Sequence, residues 1–554
     1  MPANLFLANG KSITREEALD RKINVVAQFT QYKAVADLKR VWDHQDDWCT
    51  LVAAHVGVQP GRIQMSHPPA WKRGTFNLVV PMLLKGDGVP PQVLLRVPMP
   101  AKIGEKQHQG SVADKLRCEA ASYIWMQRHC PDIRIPHLYG FGIPGVDGGH
   151  FTHASRLPIL RRALLYVRQC TASILHRPVP SDYLPIAAPP QKSTEPPLAD
   201  TGYLLLENLD EVRFGKQIPY VLPRGRSLHE LYAEEPEKTA NLCRGLARVM
   251  LALARVPQPR IGAFRFSPAD GTILLDGRPT TCSMAILESE GAQRRIGLDT
   301  TYACVDRYVA DMLGFRASVF CDDPNAAVDA EEAKAQMADL VFLRAVTHHF
   351  VSGYYGRDDR DDRNGPFVLH LSDDNAGNVL VDDDWHVTGL FDLEWLFAAP
   401  VGALSAPWWL TWQAVDDVAK PGSAGYDAYC ASRRIFMDIL RDEEEKVNDK
   451  TTTAPLAPLA PLSAALDASW DSERTWLYVA LTSVDALGHV VRRRLRPLFV
   501  GAGGSADSTC YAALYELWST SAAAVVAQKL RDREQYEAVI ERLFADEYGQ
   551  DCSG

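Results

Sequence analysis

The feature that most constrains this chain is a stretch around residue 380, in which three short apolar runs each border a polar residue. The runs are Phe367-Val-Leu, Val379-Leu-Val and Val387-Thr-Gly-Leu-Phe. Short apolar runs bounded by turn residues are typical of β-strands. Asp373, Asn378 and Asp392 stand at the ends of these predicted strands, and the acidic run 382–384 predicts a turn between the second and the third. The sequence therefore predicts three positioned polar side chains.

The order and spacing of these side chains favour chemistry over a solvated turn, although a lone Asp followed five residues later by Asn would often be only a turn. Phosphoryl transfer needs a carboxylate that orients and deprotonates the attacking hydroxyl. It also needs an amide oxygen and a second carboxylate that hold Mg²⁺ on the phosphates. In the protein-kinase signature the catalytic Asp precedes its Asn by five residues, and the metal-binding Asp follows on the next hairpin. Asp373, Asn378 and Asp392 have this arrangement, so we interpret the stretch as a phosphotransfer site.

A second predicted hairpin lies upstream, between Trp71 and Pro98, with a turn rich in Gly and Pro. Gly74 begins its first strand and Arg96 ends its second. In kinases such a hairpin covers the nucleotide, and a strand lysine there holds phosphates and pairs with a helix glutamate. Arg96 takes the position of that lysine, and the following predicted helix offers Glu119 as its partner. Taken alone, Arg96 would be read as a surface cation, and one glycine does not make a GxGxxG loop.

The run that begins at Gly202 predicts a buried strand that enters a polar corner at 207–209. This form is typical of an interlobe hinge that pairs adenine with main-chain groups, and also of an ordinary core strand that meets a loop. The residues from 147 to 200 form an insertion whose Pro-rich end predicts a mobile loop. Later segments alternate predicted helices with short hairpins, and 451–463 is a Pro/Ala loop of low complexity.

With these residues in place, the chain resembles the aminoglycoside phosphotransferase-like family of protein-kinase-like proteins, and within it a large fungal branch. The resemblance runs from about residue 71 to 418. The matching segments are Gly74-Thr-Phe-Asn, Leu95-Arg-Val-Pro, Lys115-Leu-Arg-Cys-Glu-Ala, Pro136-His-Leu-Tyr-Gly-Phe-Gly, Gly202-Tyr-Leu-Leu-Leu-Glu, Gly365-Pro-Phe-Val-Leu, Asp373 with Asn378, Val381-Asp-Asp-Asp-Trp and Asp392-Leu-Glu-Trp. Together these segments are more specific than any one of them.

The resemblance implies an α+β protein with a two-lobed, protein-kinase-like fold, in which a small antiparallel-sheet N-lobe precedes a larger, mostly helical C-lobe. The expected parts are an N-terminal helical extension (1–60), the N-lobe with its insertion (61–210), and the C-lobe (211–554) with the catalytic loop at 367–395. The implied reaction moves the terminal phosphoryl group of ATP to a hydroxyl of a small molecule, with Mg²⁺. The acceptor itself cannot be read from a family resemblance.

The resemblance also implies roles for individual residues. Asp373 is the expected base, and Asn378 and Asp392 are the expected magnesium ligands. Gly74, Arg96 and Glu119 are expected at the ATP phosphates, and the main chain from Glu207 to Leu209 at the adenine. One departure is clear: where bacterial members read His-Gly-Asp-Leu-His-Pro-Gly-Asn, this chain reads Leu371-Ser-Asp-Asp-Asn-Ala-Gly-Asn378. The motif histidine is missing and Asp374 adds a carboxylate, which leaves substrate and rate open.

Two other functions fit parts of the pattern. A nucleotide-binding pseudokinase that serves as an interaction module would share the fold, and Asp374 and Arg96 keep this alternative open. A protein kinase is a weaker alternative, because no Ala-Pro-Glu segment or recognisable activation loop follows Asp392.

The composition of the chain bears on its class, its partners and its cellular location. Its 554 residues are 46% hydrophobic and 23% charged, which is typical of a globular chain with a large core. The net charge of -10 makes nucleic acid an unlikely partner, and we expect the basic cluster 492–496 to lie on a helix. Eleven scattered cysteines without a CxxC pair indicate reduced thiols. We see no signal peptide and no run that would span a bilayer, and therefore expect a cytoplasmic protein without a membrane partner.

Overall fold

The computed structural model describes the chain except for residues 1–3, 37, 87, 147–148, 188–200, 352–362, 451–460, 500–510, 512 and 552–554. It is an α+β protein whose sheets are antiparallel and whose later two thirds are mostly helical. The Pro-rich end of the predicted insertion and most of the predicted Pro/Ala loop lie outside the described residues.

The N-terminal segment is mainly helical, as the sequence predicts. Its elements are β1 (Leu5–Phe6), β2 (Ser12–Ile13), α1 (Arg15–Asp20), α2 (Val25–Ala36), α3 (Lys39–Asp43) and α4 (Gln45–Val56). Thr14 begins α1 with a capping box: its hydroxyl accepts from the N–H of Glu17, whose carboxylate accepts from the N–H of Thr14. This exchange satisfies two donors that a helix start otherwise leaves unpaired.

A large antiparallel sheet follows. Its elements in chain order are β3 (Ile63–Met65), β4 (Lys72–Arg73), β5 (Asn77–Leu84), β6 (Gln92–Pro98), α5 (Ser111–His129), β7 (Leu138–Gly142), β8 (His150–His153), α6 (Ile159–Ile174), β9 (Tyr183–Ile186) and β10 (Tyr203–Glu207). The strands lie in the order β3-β5-β6-β10-β7-β8-β9, and β4 pairs with β5. The predicted hairpin is confirmed as β5 and β6, but its first strand begins at Asn77 and not at Gly74, which lies in the turn before it. The described part of the insertion contributes β8 and β9, which widen the sheet.

The remainder of the chain is dominated by helices. The helices are α7 (Glu211–Phe214), α8 (Leu228–Glu234), α9 (Pro236–Ala254), α10 (Cys282–Ser289), α11 (Val305–Asp322), α12 (Ala330–Val351), α13 (Val415–Val418), α14 (Ala424–Lys450), α15 (Leu462–Asp471), α16 (Arg474–Thr482), α17 (Leu487–Val490) and α18 (Ala522–Asp551). The short strands are β11 (Lys216–Gln217), β12 (Ala263–Phe266), β13 (Ile273–Gly277), β14 (Val368–Leu371), β15 (Val379–Val381), β16 (Val387–Leu390) and β17 (Leu396–Ala399).

Both faces of the large sheet are covered. Helix α4 packs on one face, where the buried His55 bonds the Tyr203 hydroxyl of β10 at 2.6 Å. Gly140 of β7 allows this approach, because a Cβ there would lie 2.2 Å from the His55 ring. The other face packs on α5 and joins the core of the helical region. A third cluster joins β1, β2, α1 and α2 to α18, and the Tyr536 hydroxyl accepts from the N–H of Val25 at 2.9 Å.

Other expectations from the sequence have clear outcomes. The described cysteines are free thiols. The basic cluster lies in a π-helical turn, Val491–Leu495, where buried Arg494 pairs with Glu473 at 2.5 Å. Within the described ranges, no helix has both the length and the apolar composition that crossing a bilayer requires.

Candidate functional site

The hairpin of β15 and β16 brings Asn378 and Asp392 together. Val379 pairs with Leu390, and the next residue outward, Phe391, donates its N–H to the carbonyl of Asn378 at 3.0 Å. Asp392 follows directly and has a left-handed backbone with φ of 65°. This conformation is uncommon outside glycine and is found where the surrounding structure imposes it. The backbone thus turns out of the strand at the residue that the sequence predicts as a metal ligand.

Asp373 lies beside the same hairpin. It comes two residues after β14, which pairs with β17 so that Leu371 faces Leu396. The Asn378 side-chain amide donates to the main-chain carbonyl of Asp373 at 3.3 Å. Burial, followed by the charge of Glu394, raises the pKa of Asp373, while Asn378 and Arg96 act in the opposite direction. A raised pKa favours a carboxylate as a proton acceptor near neutral pH.

The extra carboxylate, Asp374, has a different neighbour. It is exposed, and its Oδ1 accepts a hydrogen bond from the indole Nε1 of Trp409 at 3.0 Å. Trp409 belongs to an aromatic 3₁₀ turn, Trp408–Thr411. Its neighbour Trp408 stacks on Tyr429 with ring centroids 4.8 Å apart, so at least this half of the turn packs in the core. Asp374 is therefore anchored apart from the Asp373 and Asn378 pair.

Arg96 is buried, and its guanidinium joins three acidic side chains. Its Nε lies 3.0 Å from Glu119 of α5, and its Nη2 lies 2.5 Å from Asp392 and 3.0 Å from Glu394. The first of these contacts is the ion pair that the sequence predicts. The surface-cation interpretation of Arg96 is wrong, because only 8% of the side chain is exposed. One cation therefore links the central strand β6, helix α5 and the end of the β15–β16 hairpin.

Three further residues complete this network, and the sequence analysis gave them no role. Lys115 Nζ lies 2.7 Å from Glu119 and 2.5 Å from Glu394. Asn77 of β5 donates to Glu394 at 2.8 Å and accepts from Lys115 at 3.0 Å. Lys115 precedes Glu119 by four residues on α5, a spacing that places two helical side chains side by side. The spacing could therefore have predicted the contact of Lys115 with Glu119. Nothing in the sequence pattern indicated the contacts of Asn77 and Glu394.

The carboxylates of this network differ in their electrostatics. Burial opposes ionisation of Glu394, but Lys115 and Arg96 together lower its pKa to about 2. Burial raises the pKa of Asp392 to about 7; Arg96 opposes this effect and Glu394 adds to it. Among the described residues, Glu119 and Glu394 have two cationic partners each, whereas Asp392 has Arg96 alone. Of these three carboxylates, Asp392 is the one that the described cations neutralise least.

The donor set around Asp392 fits Mg²⁺. Oxygen atoms of Glu119, Asp392 and Glu394 lie within 4.8 Å of one another, close enough to share an ion. Lys115 and Arg96 already neutralise Glu119 and Glu394. Among the hydrogen bonds of the described residues, none uses Oδ1 of Asn378, whose amide nitrogen is held by Asp373. The Asp392 carboxylate and the Asn378 amide oxygen are hard ligands of the kind that Mg²⁺ prefers.

Of the predicted nucleotide residues, Gly74 borders this centre, whereas Glu207 lies at the end of β10 and bonds residues outside the network. Gly74 lies in the turn between β4 and β5, where its N–H donates to Asn77 at 2.8 Å and its carbonyl accepts from Lys102 at 3.2 Å. Asn77 therefore joins this turn to Glu394. At the end of β10, the Glu207 carboxylate accepts from Arg134 at 2.5 Å and from the N–H of His137 at 3.1 Å.

Part of the main chain in the predicted hinge is already hydrogen-bonded within the protein. The Glu207 N–H donates to the His137 carbonyl at 2.9 Å, so it is not available to a ligand. No hydrogen bond among the described residues uses the N–H of Leu209. The Leu209 side chain lies against Gly389 of β16, since a Cβ on that glycine would be 3.1 Å from it. The polar corner after β10 thus meets the hairpin that carries Asn378 and Asp392.

The structure brings most of the predicted residues together: Arg96, Glu119 and Asp392 are in direct contact, Asn378 contacts Asp373, and Gly74 is joined to Glu394 through Asn77. Leu209 packs on the β15–β16 hairpin at Gly389, and Glu207 bonds Arg134 and His137 outside the network. No protein-family model matches this chain, and no curated protein matches it. The geometry of the site must therefore carry the functional argument.

Proposed function

We propose that this protein is an ATP- and Mg²⁺-dependent phosphotransferase with a two-lobed, kinase-like fold, which transfers the terminal phosphoryl group of ATP to a hydroxyl of a small molecule. One observation carries the proposal. Arg96, Glu119 and Asp392 come from three elements that are far apart in the sequence, and they meet in one buried cluster beside Asn378 and Asp373. Kinase chemistry requires a strand cation, its helix glutamate and a metal-binding carboxylate at the same place.

The order of the elements supports the same proposal. A hairpin with Gly74 at its turn precedes the strand that carries Arg96, and the next helix carries Glu119. The strand that ends at Glu207 lies between β6 and β7 and leads into the helical region. In this assignment β3 to β10 form the small lobe, and the residues after Leu209 form the large one. The free cysteines fit a cytoplasmic location.

Each residue then has a physical task. Asp392 and Asn378 would hold Mg²⁺, which neutralises charge on the phosphates during transfer. Arg96 would hold the phosphates beside the Gly74 turn, and its planar guanidinium can donate two parallel hydrogen bonds to them. The main chain at Leu209 would bind the base. Asp373 would orient the acceptor hydroxyl and receive its proton on a carboxylate oxygen.

Asp373 gives the decisive test. Asp373→Asn keeps the shape of the side chain but removes its charge, so turnover should fall by about 10²–10⁴-fold while Mg²⁺-ATP affinity changes little. Labelled ATP with a panel of hydroxyl metabolites provides the assay, and slow ATP hydrolysis replaces it until an acceptor is found. Asp374→Asn is the matched control. It removes the adjacent carboxylate, which bonds Trp409, and it should retain most of the activity.

The alternative is a nucleotide-binding pseudokinase, and a specific observation favours it. Arg96 already contacts three carboxylates. These carboxylates neutralise part of the charge that a phosphate would otherwise meet. A pseudokinase would bind ATP but would show the same low hydrolysis in wild type and Asp373→Asn, with no acceptor separating them. That result would reject the enzyme and leave the binding module.

A further inference from the structure

Helix α6 (Ile159–Ile174) is amphipathic, but its apolar side faces away from the rest of the protein. Of its 16 residues, Leu165 is buried and most of the others are exposed. Gln169 donates to the Pro180 carbonyl at 3.1 Å and to Asp182 at 2.9 Å. Arg168 reaches the carbonyl of Asp270 at 3.4 Å. Surface helices normally turn their apolar stripe to the core, whereas α6 leaves most of its large apolar side chains exposed.

The opposite side of α6 is apolar and is left uncovered by the described residues. Its large side chains are Ile159, Leu160, Leu164, Val167 and Ile174, which are 80%, 81%, 62%, 57% and 76% exposed. Leu160, Leu164 and Val167 follow the i, i+4, i+7 spacing of one helix face, and Ile174 continues it two turns later. Scattered exposed leucines are ordinary on protein surfaces, but a continuous apolar stripe marks an interaction surface.

The charge of the segment indicates what covers this stripe. From Ser155 to Arg177 the sequence contains no Asp or Glu, although the whole chain has a net charge of -10. The same segment has five arginines, all exposed: Arg156, Arg161, Arg162, Arg168 and Arg177. On a helix of 3.6 residues per turn, Arg161 and Arg168 lie on one flank of the stripe, whereas Arg162 lies on the attached side, near Gln169. Cations that flank an apolar face match an apolar layer beneath anionic groups.

We propose that α6 is an interfacial helix that binds the protein to an anionic phospholipid surface. Its apolar stripe enters the boundary between headgroups and acyl chains, and its arginines bind the lipid phosphates and carboxylates. A 16-residue helix is about 24 Å long, shorter than a hydrocarbon core of about 30 Å, so it lies in the plane of the surface.

This inference does not depend on phosphotransfer. It revises the expectation of no membrane partner, which rested on the lack of a spanning run. An interfacial helix does not span the bilayer and is recognised by its uneven distribution of apolar and charged residues. The binding surface consists of the insertion between β8 and β9, and none of the proposed catalytic residues belongs to it.

Flotation of the full-length protein with vesicles tests the proposal. We expect wild type to float with vesicles of phosphatidylcholine and phosphatidylserine, and to float less with phosphatidylcholine alone. The double variant Leu164→Glu, Val167→Glu should lose at least about tenfold in partitioning, because two exposed apolar contacts are replaced by anions. Val212→Glu is the matched control, since Val212 is a 96% exposed apolar residue outside α6. It should float like wild type.

A second variant and a second measurement guard against misfolding and against other occupants of the stripe. Arg161→Gln, Arg168→Gln should bind severalfold more weakly only to the anionic vesicles, and circular dichroism should be unchanged in every variant. Absence of flotation with both vesicle types would overturn the proposal, as would equal flotation of wild type and the Leu164, Val167 variant. It would also be overturned if light scattering found a wild-type dimer that this variant converts to monomer, because a second copy would then cover the stripe.

Discussion

Arg96 determines how the candidate site is held together. Buried ion pairs add little net stability when complete, because the cost of desolvation offsets the attraction, but removal of one partner is costly. The Arg96 guanidinium is the contact that Glu119, Glu394 and Asp392 have in common. Lys115 contacts only the first two. Loss of Arg96 would therefore leave acidic side chains in a low-dielectric region without compensation.

Arg96→Ala should accordingly lower the free energy of unfolding by about 3–5 kcal/mol, measured by urea denaturation. Arg96→Lys keeps the charge but not the planar fork, so it should lose less stability while still binding ATP more weakly. Arg434→Ala, at an exposed position of α14, is the control and should change neither quantity. A folded Arg96→Ala protein with wild-type ATP affinity would show that Arg96 is structural and does not contact phosphate.

At the scale of elements, helix α2 is attached to the end of α10 through polar contacts. Gln28 donates to the Glu290 carboxylate at 3.0 Å, and Gln31 donates to the Ser289 carbonyl at 3.0 Å. Burial raises the pKa of Glu290 to about 7; the bond from Gln28 opposes this and Asp323 adds to it. The N-terminal helical segment is therefore joined to the rest of the molecule at a carboxylate that resists ionisation.

The raised pKa of Glu290 predicts that the stability of the protein depends on pH. Because the folded pKa lies above the unfolded value near 4.5, the native state binds more protons than the unfolded chain across the interval between them. The contribution of Glu290 to the free energy of unfolding should therefore fall as pH rises from about 4.5 to about 7. Glu290→Gln should be more stable than wild type above pH 7, by on the order of 1–2 kcal/mol, with no difference near pH 4.

Urea unfolding across this pH range measures the difference. Glu445→Gln, at an exposed position of α14, is the control and should follow wild type at every pH. A constant difference between Glu290→Gln and wild type would mean that Glu290 ionises normally in the folded protein.

At the scale of the whole molecule, the site joins the sheet to the helical region, since Arg96 lies on β6 and Asp392 follows β16. A ligand that binds both sides of this junction should stabilise the complete fold by mass action. If Asp392 and Asn378 hold Mg²⁺ on the phosphates, ATP should raise the thermal midpoint appreciably more with Mg²⁺ than with a chelator.

Differential scanning fluorimetry provides this comparison, and Asp392→Asn should remove most of the Mg²⁺-dependent part of the shift. The control is Asp383→Asn, because Asp383 lies in the exposed turn between β15 and β16. Equal protection by ATP with and without Mg²⁺ would remove the metal assignment and, with it, most of the catalytic argument.

The sequence by itself determined the local elements and the spacing of the predicted site. Apolar runs and turn residues specify the β5–β6 and β15–β16 hairpins, and helical periodicity specifies α9, because these signals depend on neighbours within a few residues. A hairpin also fixes its own register, so the proximity of Asn378 to Asp392 could be predicted from their positions beside β15 and β16.

Only the tertiary structure decided which distant residues meet. Glu394 lies two residues after Asp392, but its role depends on Lys115 and Asn77, which come from α5 and β5. The exposure of the apolar stripe of α6 could likewise not be predicted from the sequence, because an amphipathic pattern does not state which side of a helix will face the core. Both features depend on contacts between segments far apart in the chain. Local sequence patterns do not encode the free energy of such contacts.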